Sequence, residues 1–206
     1  MVFSSSLFLF VFLPIVLTAY RLTPRVGKNL LLILVSLFFY AWGEGKYVLF
    51  MLFSIGLNYL FALALDRQEG MRRKWLLSVG IVVNLLPLLY FKYTHFFLSM
   101  FSHVWPQVEP AAEMAMNIHL PIGISFFTFE AISYLVDVYR RQIRAERNPM
   151  HLALYISFFP HLIAGPIIRY KDLLPQMKER QVSREQFSQG VRRFIIGLGK
   201  KVLIAN

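Results

Sequence analysis

The chain has 206 residues, of which 57% are hydrophobic and only 16% are charged. These values exclude an ordinary water-soluble surface and favour a chain that lipid surrounds. The net charge of +11 comes from basic residues in short clusters between apolar stretches. That pattern is typical of membrane topology signals and not of a nucleic-acid-binding face. Cysteine is absent, which excludes disulfides and Cys-ligated metal sites within these residues.

Five apolar stretches are predicted to span the membrane, because a crossing helix needs about 20 apolar residues. They lie near residues 3–20, 30–42, 47–65, 75–98 and 118–139. The second stretch, at about 20 Å as a helix, is short for a full crossing and is expected to be tilted or to sit in thinned bilayer. The first stretch has no basic region before it and no cleavage pattern after it, so it is predicted to be retained.

The basic clusters predict the orientation of these spans. Clusters follow Tyr20, Leu65 and Tyr139, and short loops rich in Lys and Arg stay in the cytoplasm. Residues 99–117 contain neither Lys nor Arg and are expected outside. The next apolar stretch, 151–168, has basic residues on both flanks, so a simple crossing would place one cluster on the wrong face. A re-entrant segment resolves this conflict.

Helix-breaking residues inside 151–168 support the re-entrant interpretation. Pro160, Gly165 and Pro166 interrupt the stretch, and non-helical backbone at membrane depth is found where it lines a cavity or is buried in protein. We therefore predict a polar cavity that opens near the cytoplasm, with residues 158–170 in its wall. The last stretch, 187–206, mixes apolar and basic residues and is predicted to be an interfacial helix.

Polar groups inside apolar stretches are candidates for function because they are costly in lipid. Glu130 and Asp137 are seven residues apart and share a helical face; either they line the cavity or they pair with basic neighbours. His161 can serve as a base, although a cavity-lining or structural hydrogen bond is the commoner role of such a histidine. Arg169 either holds an anionic phosphate or carboxylate or anchors the segment at the headgroups. No two histidines have metal-ligand spacing, so no metal site is predicted.

Blocks of sequence along nearly the whole chain resemble one family. They are MVFSS at the N-terminus, FYAW at 39–42, YFKY at 90–93, LPIGISFF at 120–127, SYLVDVYR at 133–140, FFPHLIAGP at 158–166 and KKVLIA at 200–205. In this order they are similar to the membrane-bound O-acyltransferase (MBOAT) family, in particular to its bacterial alginate O-acetylation members.

The resemblance implies an all-α, polytopic bundle in the bacterial inner membrane, with a re-entrant segment and with residues 1–206 forming the N-terminal portion of one membrane domain. It implies an enzyme that takes an acetyl group from a cytoplasmic donor, acetyl-CoA, without a covalently bound cofactor. An extracytoplasmic acetyltransferase partner then completes O-acetylation of an exported polysaccharide such as alginate, cellulose or peptidoglycan.

The family places its catalytic histidine in a Trp-His block of the C-terminal half, and no such block occurs here. We therefore expect the catalytic residue beyond Asn206, with His161 as a weaker candidate, and we expect these residues to form one wall of the substrate path. The residues predicted to lie nearest the substrate are Glu130, Pro160, His161, Gly165, Pro166 and Arg169.

Two other functions share some of these features. A transporter or channel component also contains broken helices and intramembrane acids, and internal repeats would favour that class. A non-catalytic scaffold subunit would use the same residues only to pack helices, and binding of acetyl-CoA by the whole protein would exclude it.

Overall fold

A computed structural model describes residues 5–102, 119–162, 165–166, 168–179 and 182–204, and all regular elements in these ranges are helical. This confirms the predicted all-α class. The helices are α1 (Phe8–Leu22, π-helical over Phe8–Phe12), α2 (Lys28–Glu44), α3 (Tyr47–Arg67), α4 (Gly70–Ser102), α5 (Ile124–Tyr139), α6 (Pro149–Ser157), α7 (Phe159–Leu162), α8 (Tyr170–Lys178) and α9 (Arg184–Ile204). Residues 3, 4, 103–118, 163–164, 167 and 205–206 of the predicted segments lie outside the described ranges.

Within the described ranges, three helical stretches are long and apolar enough to cross a membrane: Arg25–Glu44, Tyr47–Arg67 and Gly70–Thr94. Large apolar side chains on their outer faces are exposed, for example Leu49 at 67% and Phe53 at 66%. Such a surface is unfavourable in water and suits the hydrocarbon of a bilayer. The molecule is therefore a polytopic membrane protein.

Among the helices whose ends differ from the predicted stretches, α2 and α5 have differences with a clear physical reason. A 3-10 turn over Arg25–Gly27 precedes α2, which runs on to Glu44, so the helical stretch has 20 residues and the apparent shortness of 30–42 came from leaving out its polar ends. Helix α5 begins only at Ile124, because Gly123 adopts a left-handed conformation with φ 80° directly before it.

Helices α3, α4 and α5 pack together, and polar side chains join them. The amides of Asn58 on α3 and Asn84 on α4 exchange hydrogen bonds of 2.9 and 2.8 Å. Arg73 Nη2 donates to the carbonyl oxygen of Val138 at the end of α5, at 2.7 Å. Helix association in lipid depends on packing and on such bonds, because burial of apolar surface gives little driving force there.

The segment from α6 to α8 breaks at the predicted place. Asn148 caps the start of helix α6 (Pro149–Ser157), because its side chain accepts a 3.0 Å bond from the Met150 amide. Pro160 cannot continue that helix because it lacks an N–H, but it is tolerated in the first turn of the new helix α7. The freed amide of Phe159 donates to the Ser36 hydroxyl at 3.1 Å, so the neighbouring helix compensates for the break.

The depth of the break follows from this bond. Ser36 is eight residues beyond Lys28, the first residue of the 17-residue helix α2, or about 12 Å along the axis at about 1.5 Å per residue. The break at Phe159 therefore lies beside the middle of α2.

The chain then returns to the end of the bundle where α6 began. Tyr170 OH donates to Glu146 Oε2 at 2.7 Å, and Lys171 Nζ lies 3.3 Å from Gln142 Oε1. Gln142 and Glu146 belong to the link that precedes α6. Both ends of the segment therefore lie beside the same link.

Candidate functional site

A buried acid and a buried histidine meet where the segment turns. Nδ1 of His161, on α7, is 2.9 Å from Oε1 of Glu130, near the middle of α5, and their side chains are 4% and 2% exposed. The ring N–H is not directed at the oxygen well enough to form a regular hydrogen bond, and the contact is an ion pair only when the ring is protonated. A buried polar pair of this kind is costly to desolvate, so in a membrane protein it is a candidate for function.

Each partner of this pair keeps a second polar atom without a partner. His161 Nε2 and Glu130 Oε2 are both buried and make no hydrogen bond within the described ranges. Unsatisfied groups are rare in protein interiors because each costs free energy. Because Nδ1 faces the carboxylate, Nε2 is the ring atom that remains for a ligand: it donates when the ring is charged and accepts when the ring is neutral.

Gly165 holds the turn against His161. Its amide donates to the His161 carbonyl at 3.1 Å, and a Cβ at this position would lie 2.3 Å from His161 Cα. No side chain fits in that space. Tyr155 also contacts the segment after the turn, because its hydroxyl donates to the Ile168 carbonyl at 2.8 Å.

The other predicted residues lie around this turn and not in its interior. Pro160, Pro166 and Arg169 are exposed, and no ion pair of Arg169 is present within the described part of the chain. Asp137 is buried and forms no ion pair with an arginine there, contrary to one interpretation of its position. The structure thus brings Glu130, His161 and Gly165 together.

A second polar cluster joins the two ends of the segment. Glu146 accepts hydrogen bonds from the Asn148 amide at 2.9 Å and from Tyr170 OH at 2.7 Å, and His151 Nδ1 lies 3.3 Å from its Oε2. Burial acts to raise the pKa of Glu146, but these three neighbours outweigh burial and lower its pKa below the ordinary value of 4.5. The carboxylate is therefore charged at neutral pH and ties α8 to the start of α6.

Sequence reasoning missed the cluster around Glu146 and two further contacts. Ser36 is a polar residue inside an apolar stretch, which is a usable signal, although nothing in its position names Phe159 as its partner. The contact between Glu44 and His119 was also not predicted. The buried carboxylate of Glu44 is 2.9 Å from Nε2 of the exposed His119. This contact lies at the end of α2 opposite to Lys28. Within the described residues, no group of three acidic or histidine side chains can hold a metal ion.

Comparisons with known proteins place these features in a family. Residues 34–206 match the model of MBOAT, the membrane-bound O-acyltransferase family. The chain is 41% identical to the probable alginate O-acetylase AlgI of Pseudomonas aeruginosa, over 100% of this chain and 40% of that protein. It is 35% identical to the peptidoglycan O-acetyltransferase of Helicobacter pylori, over 100% of this chain and 45% of that protein.

A third relative, the teichoic acid D-alanyltransferase of Bacillus subtilis, is 28% identical over 61% of this chain and 30% of its own length. No solved structure matches. The chain spans about two fifths of the length of the first two relatives, at 40% and 45%. The match to the family model covers most of the chain, and the relatives named above cover all or much of it: the chain belongs to the membrane-bound O-acyltransferase family.

Proposed function

We propose that this chain is part of a membrane O-acetyltransferase of the bacterial inner membrane. The enzyme takes acetyl groups from acetyl-CoA in the cytoplasm and delivers them to the other side for O-acetylation of an exported polysaccharide such as alginate, cellulose or peptidoglycan. An extracytoplasmic acetyltransferase partner completes the transfer. The names of two relatives support this class of reaction, since one is a probable alginate O-acetylase and the other a peptidoglycan O-acetyltransferase.

The observation that carries the proposal is the buried pair of Glu130 and His161 at the turn of a broken segment. An acetyl thioester must be held at depth by a few polar groups in apolar surroundings, and a transfer to a hydroxyl needs the reactants in fixed positions. Among the described atoms of this turn, His161 Nε2 and Glu130 Oε2 are buried and have no hydrogen-bond partner. We assign them to positioning of the donor and expect the base that activates the acceptor hydroxyl in the remainder of the protein.

Arg169 has a separate role in this proposal. It lies exposed at the start of α8, beside the end of the segment that returns from the turn. A guanidinium in this place suits the phosphates of the donor, because it binds them through two parallel hydrogen bonds. The donor would then enter from the side where the basic clusters lie.

The test uses the whole protein and labelled acetyl-CoA. His161→Ala removes the positioning atom and is expected to raise KM for acetyl-CoA about tenfold, the equivalent of one hydrogen bond to substrate, with kcat reduced less. Arg169→Ala is expected to weaken donor binding while Lys178→Ala, which removes an exposed cation at the other end of α8, leaves it unchanged. Unaltered acetyl transfer in both His161→Ala and Arg169→Ala at normal expression would contradict the assignment, and a parent protein without transfer would contradict the function.

A further inference from the structure

An apolar groove runs along the outside of α1 towards the re-entrant segment. It has a volume of about 330 Å³ and is lined by α1, α2, the α6–α7 break and α8. Leu13 and Leu17 form one wall, and Leu154, Phe158 and Met177 form the other. Among the described lining residues only Tyr20 and Gln176 carry a side-chain oxygen or nitrogen. Glu130 and His161 do not line this groove, although Pro160, which precedes His161, does.

Three cations follow the groove-lining residue Tyr20 closely along the chain. Arg21 in the last turn of α1 and Arg25 in the 3-10 turn that follows are exposed, and Lys28 Nζ lies 4.6 Å above the ring of Tyr20, which itself lines the groove. Residues 5–43 contain no Asp or Glu, and within the described ranges no acidic side chain forms an ion pair with these three cations. The groove therefore combines an apolar trough with a positive end.

We propose that the groove binds one acyl chain of an anionic phospholipid, whose phosphate is held by Arg21, Arg25 and Lys28. The cations lie at the start of the apolar stretch Arg25–Glu44, which is the depth of a headgroup. The distribution of basic residues predicts that this end of the bundle lies in the cytoplasmic leaflet. Basic residues at this boundary attract the anionic lipids of that leaflet.

Coenzyme A also combines phosphates with a long tail, but the lining of the groove favours a lipid chain over it. The tail of coenzyme A contains two amide groups that need hydrogen-bond partners when they are buried. A trough whose described walls offer only two polar side chains does not supply those partners, whereas a hydrocarbon chain needs none. The proposal is independent of the acetyl transfer proposed above.

The first test measures which lipids stay with the protein. The full-length protein is purified in mild detergent, and the co-purified lipids are quantified by mass spectrometry. We expect phosphatidylglycerol or cardiolipin to be enriched at least threefold over phosphatidylethanolamine, relative to the source membrane. Leu17→Trp fills the groove and should abolish the enrichment, while Ile15→Trp, on an exposed position outside the lining, should retain it.

A second pair of variants removes charge at positions outside the groove lining. The triple variant Arg21→Ala, Arg25→Ala, Lys28→Ala is expected to lose the enrichment. A control triple variant, Arg67→Ala, Arg72→Ala, Lys74→Ala, removes the same charge from exposed positions that border no described groove and should retain it. Equal enrichment in the two triple variants, an unenriched parent protein, or displacement of the lipid by added coenzyme A would overturn the proposal.

Discussion

Among single residues, the carboxylate of Glu130 and the imidazole of His161 lie side by side in the interior of the protein. Glu130 and His161 are each nearly inaccessible and are 2.9 Å apart. If one partner is removed, the other is left buried and uncompensated, and this is costlier than removing both. The pair therefore predicts a non-additive effect on stability.

We expect Glu130→Met and His161→Leu each to lower the free energy of unfolding by about 3 kcal/mol, because each leaves an unpaired polar group in the interior. The double variant should be less destabilised than the sum of the two, since it leaves an apolar interior of similar volume. Unfolding of the four proteins in detergent micelles gives the coupling energy. Strict additivity would show that the two side chains do not interact.

Gly165 gives a second prediction at this scale. Gly165→Ala places a methyl group 2.3 Å from His161 Cα, so the turn must open and His161 must move away from Glu130. We expect low expression of the folded protein and loss of acetyl transfer. Gly190→Ala on α9 is the matched control, because a Cβ there meets nothing within 4 Å of the described atoms, and it should be neutral. Equal tolerance of both changes would mean that the turn is not as tightly packed as described.

At the scale of helices and links, the cluster around Glu146 holds α8 to the start of α6. The pKa of Glu146 is lowered in the folded protein. Its contribution to stability is therefore fully present above the ordinary value of 4.5 and is lost as the pH falls through the lower, folded value. His151 and Tyr170 are the titratable groups that face it, and the Tyr170 hydroxyl stays protonated because burial raises its pKa.

Acidification from neutral pH to below about pH 4 should lower the protection factors for hydrogen exchange, each taken relative to the intrinsic rate at that pH, at residues 168–178 more than in α3, because protonation of Glu146 weakens its bonds to Tyr170 and His151. Glu146→Gln should show fast exchange already at neutral pH and little further change on acidification. Glu69→Gln serves as the control, since Glu69 pairs with Arg141 in an exposed place. An unchanged acid response in Glu146→Gln would rule out this carboxylate as the cause.

The helices themselves were largely predictable, and the contacts between them were not. The stretch 47–65 lies within α3 (Tyr47–Arg67), because a long apolar run between polar residues leaves little choice of boundaries. The late start of α5 depends on the backbone of Gly123, which hydropathy does not report. The hydrogen bond from Phe159 to Ser36 joins residues 123 positions apart, and no periodicity indicates such a partner.

The candidate site was predictable as a set of residues but not as a geometry. Glu130 and His161 stand out separately, as an acid inside an apolar span and as a histidine between helix breakers. Their ion pair depends on how deeply the broken segment enters beside α5, which is set by packing of α6 against α2 and α3. Sequence patterns also do not show that Pro160, Pro166 and Arg169 are exposed. Nor do they show that Gly165 packs against His161.

For the molecule as a whole, the predicted re-entrant topology requires that the segment from α6 to α8 enters and leaves the membrane on one side. The contacts of Tyr170 with Glu146 and of Lys171 with Gln142 place its two ends beside one link. The distribution of basic residues predicts that this side is the cytoplasm. The opposite end, with Lys46 in the link between α2 and α3, is then extracytoplasmic.

The most direct test is the accessibility of single cysteines, which these 206 residues otherwise lack. Arg144→Cys, Lys171→Cys and Lys46→Cys are introduced one at a time into the full-length protein and labelled with a membrane-impermeant maleimide in inverted and in right-side-out vesicles. We predict that Cys at 144 and at 171 reacts only in inverted vesicles and Cys at 46 only in right-side-out vesicles. Labelling of positions 144 and 171 from opposite sides would contradict the re-entrant segment and the cytoplasmic donor site built on it.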